Sequence, residues 1–200
     1  MKNAFSFFFK TIVESKFWIG YVSFVFLVGI VSGIIVSLVN PDLTREFFAG
    51  YGESVQKITS QRGLGSMLLI FERNASIMIV ALLLSLFGIV PTLVIFVNGV
   101  VFGMIFGFRE IYESFSALEI AVLIIPHGII EITATLLGLG IATRAGVRWV
   151  FGKNRRETLF RDFAALSRMS FFVVGLLFIA AFLEAFVTPA LSCLIFRICF

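Results

Sequence analysis

Four stretches almost free of charge decide what this chain can fold into. Phe17–Val39 runs 23 residues without a charged side chain, and Asn74–Phe108 runs 35. Ile120–Thr143 holds only Glu131, and Met169–Phe196 only Glu184. A helix crossing the hydrocarbon core of a bilayer needs about 20 apolar residues. Three of the stretches each fit one crossing, and the second is too long for one. Its middle reads FGIVPTL, with Gly88 and Pro91 three apart. Pro91 removes a backbone donor and disfavours helix at the residue before it. The stretch therefore divides there into two short helices. An all-α fold follows: a polytopic membrane helix bundle of about five transmembrane helices, with interfacial amphipathic helices. The spans are expected at 17–39, 74–89, 91–108, 120–143 and 169–196, in a single integral membrane domain covering 1–200.

Charge tests that count. The chain is 14% charged, against about 25% for a soluble domain. Lys2, Lys10 and Lys16 precede the first span. Arg144, Arg148, Lys153, Arg155, Arg156, Arg161 and Arg168 lie between the last two. Five spans put both groups on one side, which the positive-inside rule makes cytoplasmic. Four would strand the second group outside. The expected location is a cell membrane, multi-pass, with the N-terminus cytoplasmic. The net charge of +4 belongs to these flanks, so membrane lipids are expected partners and nucleic acid is not. The first apolar run is longer than the roughly 7–15 residues of a cleavable signal. Cys193 and Cys199 are expected to make neither a disulfide framework nor a metal site.

Between the spans, 40–73 carries Leu43, Phe47, Phe48, Tyr51, Val55 and Ile58 at roughly helical spacing. A helix lying on the outer membrane surface is expected there, weakened by Gly50 and Gly52. Phe5, Phe8, Phe9 and Ile12 form a second apolar face. Leu159, Phe160, Phe163 and Leu166 form a third, with Glu157 one turn from Arg161. Packing on the bundle accounts for all three more simply than membrane sensing does. Trp18, Tyr21 and Trp149 are interface anchors. SALE, 116–119, matches a capping box. Its helix either runs on through Pro126 with a kink or gives way to a new helix beginning at Pro126.

Glycine carries the packing. Gly99, Gly103 and Gly107 recur every four residues, and Gly29 and Gly33 are also four apart. Lipid is itself apolar, so helices associate there largely by close backbone approach at small residues. These faces meet another helix, in this chain or in a second copy, and a homo-oligomer is expected.

Five polar residues fall inside spans: Asn74, Asn98, His127, Glu131 and Glu184. A carboxylate at bilayer centre costs about 2.5–3.5 kcal/mol on insertion scales. With the spans bounded as above, no Lys or Arg lies within them. His127, the one histidine, is then the only cation available to Glu131, one turn away on the same face. Either the five form a hydrogen-bond network holding helices in register, or they line a polar cavity for an ion, a proton or a small polar solute. One histidine and two carboxylates offer three ligands to a metal and no fourth, so no metal and no cofactor is expected. No phosphate loop, nucleophile elbow or zinc-protease motif occurs, and the chain is not expected to be an enzyme.

PHGIIE (126–131), GIVP (88–91) followed by Asn98–Gly99, Asn74, and LEAFVTP (183–189) together resemble the stage II sporulation protein M family, also labelled DUF95. The likeness runs from Phe17 to Pro189. It implies an integral membrane protein of about five helices with no attached enzyme. It also implies the role of the family's namesake in engulfment, a scaffold that recruits peptidoglycan-degrading partners, and so other membrane or envelope proteins as partners. Two functions are carried forward. One is a non-enzymatic scaffold assembling through its glycine faces. The other is a small channel or transporter whose pathway passes His127, Glu131 and Glu184. A water-accessible cavity reaching those residues favours the second; a sealed, fully bonded core favours the first.

Overall fold

The computed structural model describes residues 2–59, 63–108, 116–152 and 155–196, with side chains at 6–50, 63–108, 116, 118–152 and 160–196. Every element among them is helical. In order they are α1 (Lys2–Val39), α2 (Pro41–Thr59), α3 (Leu64–Leu83), α4 (Val90–Gly107), α5 (Ala117–Phe151), α6 (Arg155–Phe182) and α7 (Thr188–Phe196). A 3-10 turn, Leu84–Phe87, ends α3, and a π turn, Leu183–Val187, joins α6 to α7 without a break. Among the described residues, five helical stretches are long and apolar enough to cross a membrane: Ser6–Val39, Leu64–Phe87, Val90–Gly107, Leu118–Phe151 and Phe160–Phe196. The expected split lies between the second and third. Gly88 there takes a φ of 70°, which a side chain would oppose. Pro91 sits in the first turn of α4, where its missing N–H costs nothing.

The helices outrun the expected spans. α1 has 38 residues and α5 has 35. At 1.5 Å per residue each is over about 50 Å long, against about 30 Å of hydrocarbon. The stretches 5–12 and 157–168 belong to the first turns of α1 and α6, not to separate surface helices. Phe8 and Ile12 pack on the main core, as do Phe163 and buried Leu166. Side chains 155–159 lie outside the described set, and so does the pairing of Glu157 with Arg161. α2 is helical through Gly50; its Phe48 stacks on Phe108 at 5.5 Å.

α1 lies against α4 through the expected glycines. A Cβ on Gly29 would stand 2.5 Å from the Phe96 carbonyl oxygen and 3.0 Å from Gly99 Cα. One on Gly103 would meet the Ile30 carbonyl oxygen, and one on Gly107 would stand 3.0 Å from Ile34 Cα. The Ser37 hydroxyl adds a buried hydrogen bond to the Met104 carbonyl, 3.1 Å. Both glycine faces thus find their partner inside the chain. Gly140 of α5 makes a further close approach, to Ile19 of α1. α5 packs in turn along α6.

The capping box is present: Ser116 Oγ accepts from the Glu119 N–H, and the Glu119 carboxylate accepts from the Ser116 N–H. α5 therefore starts there and runs on through Pro126, closing the alternative that a new helix begins at the proline. Cys193 is disulfide-bonded, a single bridge where no disulfide framework is expected, and Cys199 lies outside the described residues.

Candidate functional site

Two continuous helical stretches each carry a proline where they face each other. Pro126 has no N–H for the Val122 carbonyl, and its ring crowds that carbonyl. Pro189 does the same to Ala185. The chain relieves the second case by widening into the π turn, where the Thr188 N–H reaches back to the Leu183 carbonyl. Single π turns of this kind are frequent at functional sites. His127 and Glu131 follow the first proline, and Glu184 and Thr188 precede the second. The His127 ring nitrogen Nδ1 and Thr188 Oγ1 share a hydrogen bond at 3.4 Å. One ligand atom each from His127, Glu131 and Glu184 lies within 4.8 Å of the others.

These groups line a cavity of about 550 Å³. α3 contributes Arg73 and Asn74 to its wall, and α4 contributes Asn98. The Asn98 amide also donates to the Val94 carbonyl one turn back, 2.9 Å, while Gly99 beside it faces α1. All five polar residues read from the sequence therefore meet at one wall. Their depths agree. His127 lies ten residues into α5, and Asn74 ten residues into α3, about 15 Å along each axis. Asn98 is nine residues from the end of α4, and Glu184 twelve from the end of α7, about 14 and 18 Å. A pocket of about 20 Å³ continues beyond, bordered by Asn74, Asn98, Glu131 and Thr135. That is room for about one water.

Arg73 corrects the sequence reading. A span bounded by its first charge begins at Asn74 and leaves His127 as the only cation at depth. α3 begins at Leu64 instead, so Arg73 sits well inside a helix and its guanidinium attracts both Glu131 and Glu184. Glu72 beside it is exposed. Arg73 adjoins Asn74 and lies three residues after Ile70 and four before Ile77, on one helical stripe.

The three ligand atoms lie within 4.8 Å of one another, close enough to share an ion, a proton or a hydrogen-bonding solute, and the Arg73 guanidinium on the same wall competes with a cation for the carboxylates. Two carboxylates this close repel unless a proton or a cation lies between them.

A family model described as Stage II sporulation protein M matches residues 22–189. No curated protein matches the chain, and no solved structure does.

Proposed function

The chain belongs to the Stage II sporulation protein M family, and from that premise we propose that it is a small non-enzymatic channel or transporter, moving a proton, an ion or a small polar solute past His127, Glu131 and Glu184. The observation that carries this reading is the cavity of about 550 Å³ that reaches all three groups together with Arg73, Asn74 and Asn98. Desolvating so many polar groups for register alone is costly, since each must be paired or wetted. A cavity gives them water or solute instead. Arg73 and the two amides donate hydrogen bonds, the carboxylates accept them, and His127 does either. The wall therefore suits a solute carrying both donors and acceptors, or a proton handed between the carboxylates and the imidazole.

The scaffold reading has less behind it. It drew on glycine faces free to join other copies, and α1 and α4 use those glycines on each other. The test is flux. Purified protein in proteoliposomes is assayed with an internal pH dye and with sodium, potassium and amino-acid gradients. Transport above empty liposomes that Glu131→Gln and Glu184→Gln abolish is the expected result. No flux of any tested species, with wild type and variants alike, returns the scaffold to first place.

A further inference from the structure

The far end of the bundle carries a second cleft, unrelated to the polar cavity. Arg144 lies 13 residues beyond Glu131 on α5, about 20 Å along the axis. Its side chain is 6% exposed. It donates to Ser15 Oγ at 2.9 Å, to Asp162 at 3.1 Å and to Glu14 at 3.2 Å. Asp162, 2% exposed, also stands 3.2 Å from Arg148 and 3.6 Å from Arg161. Three arginines are thus fixed around one buried carboxylate. In front of them is a cavity of about 330 Å³ lined by Lys10, Glu14, Arg144, Arg148 and Arg161.

We propose that this cleft is a binding site for a phosphate group, presented by an anionic lipid headgroup or free in solution. Charge is the first argument. Among the described side chains, four cations line or back the space and two carboxylates, Glu14 and Asp162, pair with them, so cations predominate around it. A purely structural network has no reason to hold excess cations around a void. Geometry is the second. Guanidinium groups held in place by Asp162 meet the planar-fork requirement of phosphate recognition with little ordering cost. Position is the third. Lys10 and Glu14 precede the charge-free run of α1, Arg144 follows that of α5, and Arg161 precedes that of α6. Trp18 and Trp149 flank the same level. The cleft is therefore where headgroups lie, at the end the positive-inside rule makes cytoplasmic, and basic pockets between helices there take anionic headgroups.

The full chain, purified in mild detergent, is given equimolar phosphatidylglycerol and phosphatidylcholine, and retained lipid is counted by native mass spectrometry. In parallel, its melting temperature is read with inorganic phosphate against chloride at equal ionic strength. Arg148→Gln with Arg161→Gln removes two exposed cations and leaves Arg144 paired. Arg45→Gln, in α2, removes one charge elsewhere. Each lost cation should weaken binding about fivefold. Preferential retention of phosphatidylglycerol that the double variant loses and Arg45→Gln keeps supports a headgroup site. Stabilisation by inorganic phosphate, lost in the same variant without any lipid preference, supports a free-phosphate site. If the double variant does not fold, Lys10→Gln, 77% exposed, takes its place with the smaller expected loss. No lipid preference and no phosphate effect in wild type, or an equal effect of Arg45→Gln, overturns the proposal.

Discussion

At Gly103 the absence of a side chain is a structural part. A Cβ there would meet the Ile30 carbonyl oxygen and stand 2.8 Å from the Ile30 carbonyl carbon, and both belong to backbone that cannot swing aside. Gly103→Leu should cost about 1–3 kcal/mol, the range for forcing bulk into a filled contact. Leu83 is 68% exposed, so Leu83→Ala should change the melting temperature in detergent little. Equal melting temperatures for the two variants would remove glycine from the packing of α1 on α4. Glu131 makes a different kind of demand. Glu131→Gln keeps the size and hydrogen-bonding reach of the acid and should fold. Glu131→Leu strips an acceptor from a wall that holds Arg73 and His127, and an orphaned buried donor costs about 1–3 kcal/mol. Equal stability of the Gln and Leu variants would show that the wall does not rely on this carboxylate. The polar residues themselves were legible in the sequence, because a charge or amide stands out in an apolar run. Arg73 was not, because a run ends by definition at its first charge, whereas a helix does not.

Among the elements, the π turn is the one whose loss is most informative. Deleting Ala185 should let 182–188 close as ordinary α-helix. A π turn holds about one residue more than an α turn, so the deletion restores α register there and brings Thr188 three residues after Glu184, changing the direction of its hydroxyl. The protein should still insert, while His127 loses the Thr188 hydroxyl at 3.4 Å and transport falls. Unchanged flux after the deletion would make the π turn a mere accommodation of Pro189. The tie between α1, α5 and α6 gives a second element-scale expectation. Asp162→Ala leaves Arg144 buried without its nearest carboxylate, and removing one member of a buried pair costs about 3–5 kcal/mol. A melting temperature within a degree of wild type would show that Glu14 and Ser15 suffice. Helix number and the break at Gly88–Pro91 were readable beforehand, since both rest on local chemistry. Helix length was not. The sequence marks where lipid contact ends, while α1, α5 and α6 continue past it on packing and ion pairs that join residues far apart in sequence, such as Ser15 with Arg144.

For the whole molecule, charge predicts an orientation. The N-terminal lysines and the basic stretch at 144–168 fall on one face if the five apolar helices alternate in direction, and the positive-inside rule predicts a cytoplasmic position for that face, with α2 and the end of α7 outside. On that predicted orientation the polar cavity lies about 15 Å along the axis from the outward ends of α3 and α5, and the arginine cleft lies toward the cytoplasmic end. In a background of Cys193→Ser and Cys199→Ser, Arg155→Cys should react with a membrane-impermeant maleimide only after the cells are opened. Asp42→Cys, exposed in α2, should react in intact cells. The reverse pattern would turn the molecule over. The arginine cleft would then face an outer leaflet, and the cavity would open toward the cytoplasm.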